Sequence, residues 1–150
     1  MSYSTRAEVR DMVKDDALNA IIGDTFIEDP AEREELVSPI IDAAIADADA
    51  EIDGYLAKRY AVPLSPAPKV INKFSKDIAV YNLFSRIGID ESTDQKTYLN
   101  RYNAAIKFFE LVADGHGSRR PGKRSRDRVL GEVKHPAFHP GQHEGDVGRV

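Results

Sequence analysis

Two stretches of the chain carry apolar side chains at steps of three and four residues, the spacing of one α-helix face. The first stretch, about residues 39–59, presents Ile41, Ile45, Ala48, Ile52, Tyr55 and Leu56. The second stretch, about residues 68–87, presents Ile71, Phe74, Ile78, Tyr81 and Phe84. Between them lie Pro63, Pro66 and Pro68, which interrupt a helix because proline lacks a backbone N–H and clashes with the preceding turn. The pattern therefore predicts two helices joined by a proline-rich elbow.

Shorter signals extend the helical pattern in both directions. A third main helix is predicted over residues 91–113, with Tyr98, Tyr102, Ala105, Phe109 and Val112 on its buried side. Near the N-terminus, Thr5 and Glu8 have the spacing of a capping box, which predicts a short first helix. A second short turn is predicted to end at Gly23 and a further turn to span residues 30–36. Ser38-Pro39 is a cap-and-first-turn pair, and it predicts the start of the main helix.

These elements predict an all-α fold: a small antiparallel bundle of three main helices plus a short N-terminal one, followed by an extended C-terminal tail. No strand pattern precedes residue 115, and a short hairpin over residues 126–138 is the alternative for part of the tail. The predicted core contains Phe74, Ile78, Phe84 and Phe109. We expect residues 1–114 to form the helical domain.

The charge distribution divides the 150-residue chain at the same point. Residues 1–114 carry 13 Lys+Arg against 21 Asp+Glu, whereas residues 115–150 carry 8 against 4. Residues 116–150 also hold 6 of the 10 glycines and 3 of the 8 prolines, and this composition is unlike that of a packed domain. An acidic body is therefore followed by a basic tail, which we expect to be mobile or ordered by a partner.

Several classes of function find no support in the sequence. There are no cysteines, no apolar run reaches the ~18–20 residues that cross a membrane, and the N-terminus lacks the apolar region of a secretory signal. All four histidines fall in the tail, so no Ser–His–Asp arrangement can be assembled. We therefore predict no catalytic residues, no metal site and no cofactor.

Two motifs in the tail resemble ligand sites without completing them. Gly117–Lys123 has the G-x-x-x-x-G-K spacing of a phosphate-binding loop, but Arg124 replaces the Ser or Thr that would hold magnesium. His135, His139 and His143 are four residues apart, but Pro136 and Pro140 prevent the helix that would align them on a metal. We therefore favour a basic linker for the glycine-containing motif and polar residues of an extended segment for the histidines.

The predicted main helix carries two further sets of residues that could have a function: three aspartates and three small residues. Asp42, Asp49 and Asp53 share one face, and a divalent-cation site, a catalytic acid pair or a solvated face would fit, the last being favoured. Ala44, Ala48 and Gly54 would let a neighbouring helix approach closely, and we predict a subunit interface there.

The tail also contains a basic run that would suit an acidic partner. Its members are Arg119, Arg120, Lys123, Arg124, Arg126 and Arg128. They could contact phosphates, but no aromatic side chains are interleaved for base stacking and the body is acidic. Docking on an acidic protein surface is therefore favoured over proximity to DNA and over a tail that only aids solubility.

The chain resembles the head–tail connector (adaptor) proteins of tailed phages, specifically the Mu-like prophage group. The resemblance covers about residues 3–113 and rests on Tyr3, the A-x-A-x-A-E-I-D-G-Y-L run at Ala46–Leu56, the RYAVPL segment at Arg59–Leu64, and the D-I-A-x-Y helix at Asp77–Tyr81. The closing helix, with Arg101-Tyr102 and an apolar end at Ile106–Val112, also resembles the family.

This resemblance implies a structural, non-enzymatic subunit of the virion head–tail junction that is present in the host cytoplasm during assembly. Such subunits form a ring, typically twelvefold, that binds the portal protein and the next neck or tail-completion protein. Genomic DNA would pass through the ring without sequence-specific binding. Asp42, Asp49 and Asp53 could line that channel and repel the DNA. The alternative is a DNA-binding or DNA-packaging accessory protein that uses the basic tail.

Overall fold

The computed structural model describes residues 1–23 and 26–115, and in this part of the chain the only regular secondary structure is helical. Five α-helices follow in order: α1 (Arg6–Asp11), α2 (Asp15–Ile22), α3 (Pro30–Leu56), α4 (Lys69–Ser85) and α5 (Lys96–Ala113). The three long helices pack on one another, while α1 and α2 lie against α3. The predicted all-α fold is thus confirmed. The hairpin predicted over residues 126–138 lies outside the described residues.

Aromatic pairs fix the antiparallel register of α4 and α5. The ring centroids of Phe84 and Tyr98 are 4.3 Å apart, those of Tyr81 and Tyr102 are 3.9 Å apart, and those of Phe74 and Phe108 are 4.7 Å apart. Along these pairs the residue number in α5 rises as the residue number in α4 falls, so the two helices run in opposite directions. Such stacked and tilted pairs are worth about 0.5–1.5 kcal/mol each beyond the area they bury.

The core lies where α3, α4 and α5 meet. The apolar face predicted for α3 is buried except for Tyr55, which is partly buried, and Ile78, Phe84 and Phe109 of the predicted core are buried as well. Phe74 is only partly buried, because it packs on the rim of the core between Phe108 and Phe109.

The main helix begins earlier than the sequence predicted. It starts at Pro30, with the Asp29 side chain accepting a hydrogen bond from the Ala31 N–H, and continues through Pro39. Pro39 cannot donate to the carbonyl of Glu35, but it lies on the exposed side of the helix, where water can reach that carbonyl. The prediction that Ser38-Pro39 starts the helix was therefore wrong, and residues 30–38 belong to the same helix.

The end of α5 is tied to the end of α3. Arg59 donates a hydrogen bond from Nε to the carbonyl oxygen of Ala113 at 2.9 Å. Its guanidinium also occupies the space that a side chain at Gly115 would fill, and Gly115 has a φ of +85°. Glycine is favoured here because side chains rarely adopt this backbone conformation, whereas the arginine above it could move aside.

Candidate functional site

The N-terminal segment is fixed to the bundle through Tyr3. The Tyr3 N–H donates to Asp49 Oδ1 at 3.1 Å, and its hydroxyl donates to Asp53 Oδ1 at 2.5 Å. The same hydroxyl accepts a hydrogen bond from the Leu64 N–H at 2.9 Å. The Tyr3 carbonyl accepts from Asn72 Nδ2 at 2.9 Å. One buried residue thus connects α3, the elbow between α3 and α4, and α4.

Burial and charge shift the protonation equilibria of this cluster. Burial raises the pKa of the Asp49 carboxyl, although hydrogen bonds to that carboxyl oppose the shift. Burial, followed by the hydrogen bond to Asp53, raises the pKa of the Tyr3 phenol. Tyr3 therefore keeps its proton at neutral pH and acts as the donor to Asp53.

The acidic face of α3 is largely occupied by this N-terminal segment. Asp49 and Asp53 bind Tyr3, and Asp42 forms a bidentate ion pair with the Arg6 guanidinium. Arg6 holds the pKa of the Asp42 carboxyl below its usual range. The three predicted aspartates thus lie along one face of α3, and each has a partner within its own subunit. A channel-lining role for them stays a prediction.

The alanines predicted for a subunit interface lie inside the subunit. Ala44 and Ala48 are buried, and the carbonyl of Ala44 accepts a hydrogen bond from Asn82 Nδ2 of α4. Their small size lets α4 approach α3 within one chain. Gly54 is exposed with open space around its Cα, so it is the member of this set that remains available to another subunit.

An apolar groove lies where the elbow meets the ends of three helices. Its volume is about 320 Å³, and its lining includes Leu56, Tyr60, Leu64, Pro68, Val70 and Phe108. Tyr60 is 43% exposed and Val70 is 38% exposed, so two large hydrophobic side chains of the groove face solvent. Apolar side chains grouped in a surface groove form a place where a partner protein can pack. We call this feature the elbow groove.

The elbow holds the groove in place through its own hydrogen bonds. The N–H of Tyr60 donates to the carbonyl of Leu56, and the N–H of Leu64 donates to Tyr3. The Val62–Pro63 and Ser65–Pro66 peptide bonds are both cis. The RYAVPL segment also supplies Tyr60 and Leu64 to the groove lining, which the sequence pattern alone did not predict.

The predicted ligand motifs and the docking run lie outside the described residues. These are Gly117–Lys123, the three histidines His135, His139 and His143, and the run Arg119, Arg120, Lys123, Arg124, Arg126 and Arg128. Within residues 1–23 and 26–115, no group of three or more His, Cys, Asp or Glu side chains is arranged to hold a metal ion. No helix in the same ranges is both long and apolar enough to cross a bilayer.

Comparison with known proteins places these features in a family. The model of the family described as Bacteriophage Mu, Gp36 matches residues 3–126. Gene product J of Escherichia phage Mu is 32% identical over 87 residues, which cover 58% of this chain and 56% of that protein. The Mu-like prophage FluMu protein gp36 of Haemophilus influenzae is 32% identical over 84 residues, or 56% of this chain and 55% of that protein.

The matched region contains the Tyr3 cluster and the elbow groove, and the chain spans about half the length of the two curated relatives. These matches support a phage virion protein of the Mu-like group. Since the family model matches residues 3–126, well over half of the chain, the protein belongs to the bacteriophage Mu Gp36 family.

Proposed function

We propose that this protein is a structural head–tail connector subunit, which forms a ring beneath the portal at the capsid vertex. The ring, typically twelvefold in the proteins that this chain resembles, would extend the DNA channel and join the head to the next neck or tail-completion protein. The subunit would act at the virion head–tail junction after assembly in the host cytoplasm, without catalysing a reaction.

The observation that carries the proposal is the exposed elbow groove on a helical body of a Mu-like phage family. Tyr60 and Val70 expose apolar surface beside the elbow. The Tyr3 hydroxyl holds the elbow in place, because it binds both Asp53 of α3 and Leu64 of the elbow. A prepared apolar surface loses little conformational entropy on association, because its parts are already ordered. Such a surface suits assembly with other proteins.

The basic tail supplies a second proposed contact. Arg119, Arg120, Lys123, Arg124, Arg126 and Arg128 would dock on an acidic surface of the portal or of a neighbouring subunit by charge complementarity. The body carries an excess of acids, which would disfavour adhesion to the DNA that passes by.

The experiment that tests the proposal compares two partners under the same conditions. The full chain is incubated with the purified portal protein of the same phage, and separately with duplex DNA, over a range of salt concentrations. Portal binding without DNA affinity is the expected result. DNA binding that falls steeply as salt rises, without portal binding, would instead identify a DNA-binding accessory protein.

A further inference from the structure

One aromatic side chain of the body is left almost entirely in solvent. Phe26 is 79% exposed, although the neighbouring Ile27 is buried and its N–H donates to Asn19 Oδ1. Leu36, on the second turn of α3, is 42% exposed. The backbone beside Phe26 is thus anchored, while the phenyl ring is left exposed by residues 1–23 and 26–115.

The elbow groove, in contrast, is an apolar depression that lacks a side chain to fill it within the described part of the chain. Its volume is about 320 Å³, and Tyr60 and Phe108 are in its lining. Aromatic rings favour offset or edge-on contacts with one another. A phenyl ring entering the groove would find such partners in Tyr60 and Phe108.

Charges of opposite sign surround the two features. Residues 26–36, which we call the Phe26 segment, contain five acids and one cation. Residues 54–76, which contain most of the groove lining, carry five cations and no acid. Glu28 and Glu32 are exposed on the first surface, and Lys58 and Lys69 are exposed on the second. Glu34 and Lys73 already form ion pairs within the subunit, with Arg10 and Asp77 respectively. The remaining charges of the two surfaces are opposite in sign.

The length of α3 prevents the two surfaces from meeting within one subunit. Phe26 lies just before the first residue of α3, whereas the groove begins at its last residue, Leu56. A helix of 27 residues is about 40 Å long. Only a second copy of the chain can bring a Phe26 segment to an elbow groove.

We infer that Phe26 of one subunit inserts into the elbow groove of the next, with the acidic Phe26 segment facing the cations of residues 54–76. The contact joins two different surfaces, so an open chain of subunits keeps one free Phe26 at one end and one free groove at the other until the assembly closes. Such a head-to-tail contact forms a ring when the rotation between subunits closes. The inference rests on the proposed connector function, for which it names the subunit interface.

A mixture of two full-length variants tests the contact directly. Phe26→Ala keeps the groove but lacks the ring that fills it, while Val70→Asp keeps Phe26 but places a charge in the groove. Val70 is the second residue of α4, where an aspartate is compatible with the helix N-terminus. Each variant alone should remain monomeric, with its dissociation constant raised at least about tenfold relative to wild type. Their mixture should give a one-to-one dimer and nothing larger, because a single intact contact is available.

Sedimentation velocity over a concentration series, without portal, measures the proportions of monomer, dimer and larger assemblies for the wild type, both variants and their mixture. Ile87→Ala, at another exposed apolar side chain, is the matched control and should associate as wild type does. Circular dichroism checks that every variant is folded. The inference is overturned if the wild type stays monomeric at its highest soluble concentration, if either variant alone associates like wild type, or if the mixture yields no dimer. Since portal binding is measured separately, a connector with a different interface would bind portal yet fail this test.

Discussion

The Tyr3 hydroxyl donates a hydrogen bond to Asp53 Oδ1 at 2.5 Å, across 50 residues of sequence. Because the Tyr3 hydroxyl oxygen also accepts a hydrogen bond from the Leu64 N–H, the position of the elbow depends on the N-terminal segment. The elbow groove, and the assembly proposed for it, therefore depends on a residue that does not line the groove.

Tyr3→Phe should lower the free energy of unfolding by about 1–3 kcal/mol, because it removes both hydrogen bonds of the hydroxyl and leaves the Leu64 N–H without its acceptor. Urea unfolding followed by circular dichroism measures the change. Tyr60→Phe is the matched control, since Tyr60 is 43% exposed, and it should stay within about 0.5 kcal/mol of wild type. Equal effects of the two substitutions would show that the Tyr3 hydrogen bonds do not stabilise the fold.

Phe109→Ala should cost on the order of 3–5 kcal/mol, because Phe109 is fully buried among α3, α4 and α5. Phe74→Ala should cost less, since Phe74 lies on the rim of the core. Phe26→Ala removes the same ring from an exposed position and should barely move the melting temperature of the monomer. Thermal unfolding of the three variants at low concentration gives the comparison, and a similar loss at Phe26 and Phe109 would contradict the assigned core.

Pro39→Ala should stabilise the protein by about 2 kcal/mol, because alanine restores a donor to the Glu35 carbonyl within α3. Pro30→Ala is the matched control: Pro30 is the first residue of the same helix, where a missing N–H costs nothing, so no stabilisation is expected. Denaturant midpoints distinguish the two. If Pro39→Ala were no more stable than Pro30→Ala, a continuous α3 through residue 39 would be in doubt.

The helices that sequence periodicity predicted best are those with uninterrupted apolar faces. Ile78 and Phe109 are buried as their spacing indicated, and the Thr5–Glu8 capping box forms as predicted. Local signals for helix boundaries were less informative. The predicted start of α5 at residue 91 is five residues too early, because the Asp90 carboxylate accepts from the Ser92 N–H and holds a turn there.

The contacts that build the candidate site depend on residues far apart in sequence. Periodicity placed Asp49 and Asp53 on one face of α3, but it could not show that Tyr3 covers that face from 46 and 50 residues away. The same limit applies to Ala44 and Ala48, whose small size indicates a close approach without saying which helix approaches. Phe26 carried no helical pattern at all, and only the folded chain shows that its ring is uncovered.

Stability should fall as the pH rises above the ordinary tyrosine pKa of 10.0, because burial raises the pKa of Tyr3 and of Tyr102 in the folded state. The unfolded chain then releases phenolic protons that the folded chain keeps, so the folded state binds more protons and loses stability with rising pH. The stabilisation is fully present below pH 10 and is lost as the pH rises through the folded values. Hydrogen bonds to Asp53 and Glu51, respectively, contribute to the two shifts.

The measurement is the urea midpoint from about pH 9 to about pH 11 for wild type and for a Tyr3→Phe, Tyr102→Phe double variant. The double variant should show a flatter decline, because it lacks both phenols while the lysines and arginines titrate alike in the two proteins. Parallel curves would show that neither phenol has a raised pKa in the folded protein.

The most direct test of the connector proposal is a native mass spectrum of the full chain, taken alone and with the purified portal protein of the same phage. The proposal predicts a complex in which many copies of this chain bind one portal assembly as a closed ring. A chain that stays monomeric and unbound in the presence of saturating portal would contradict the proposal.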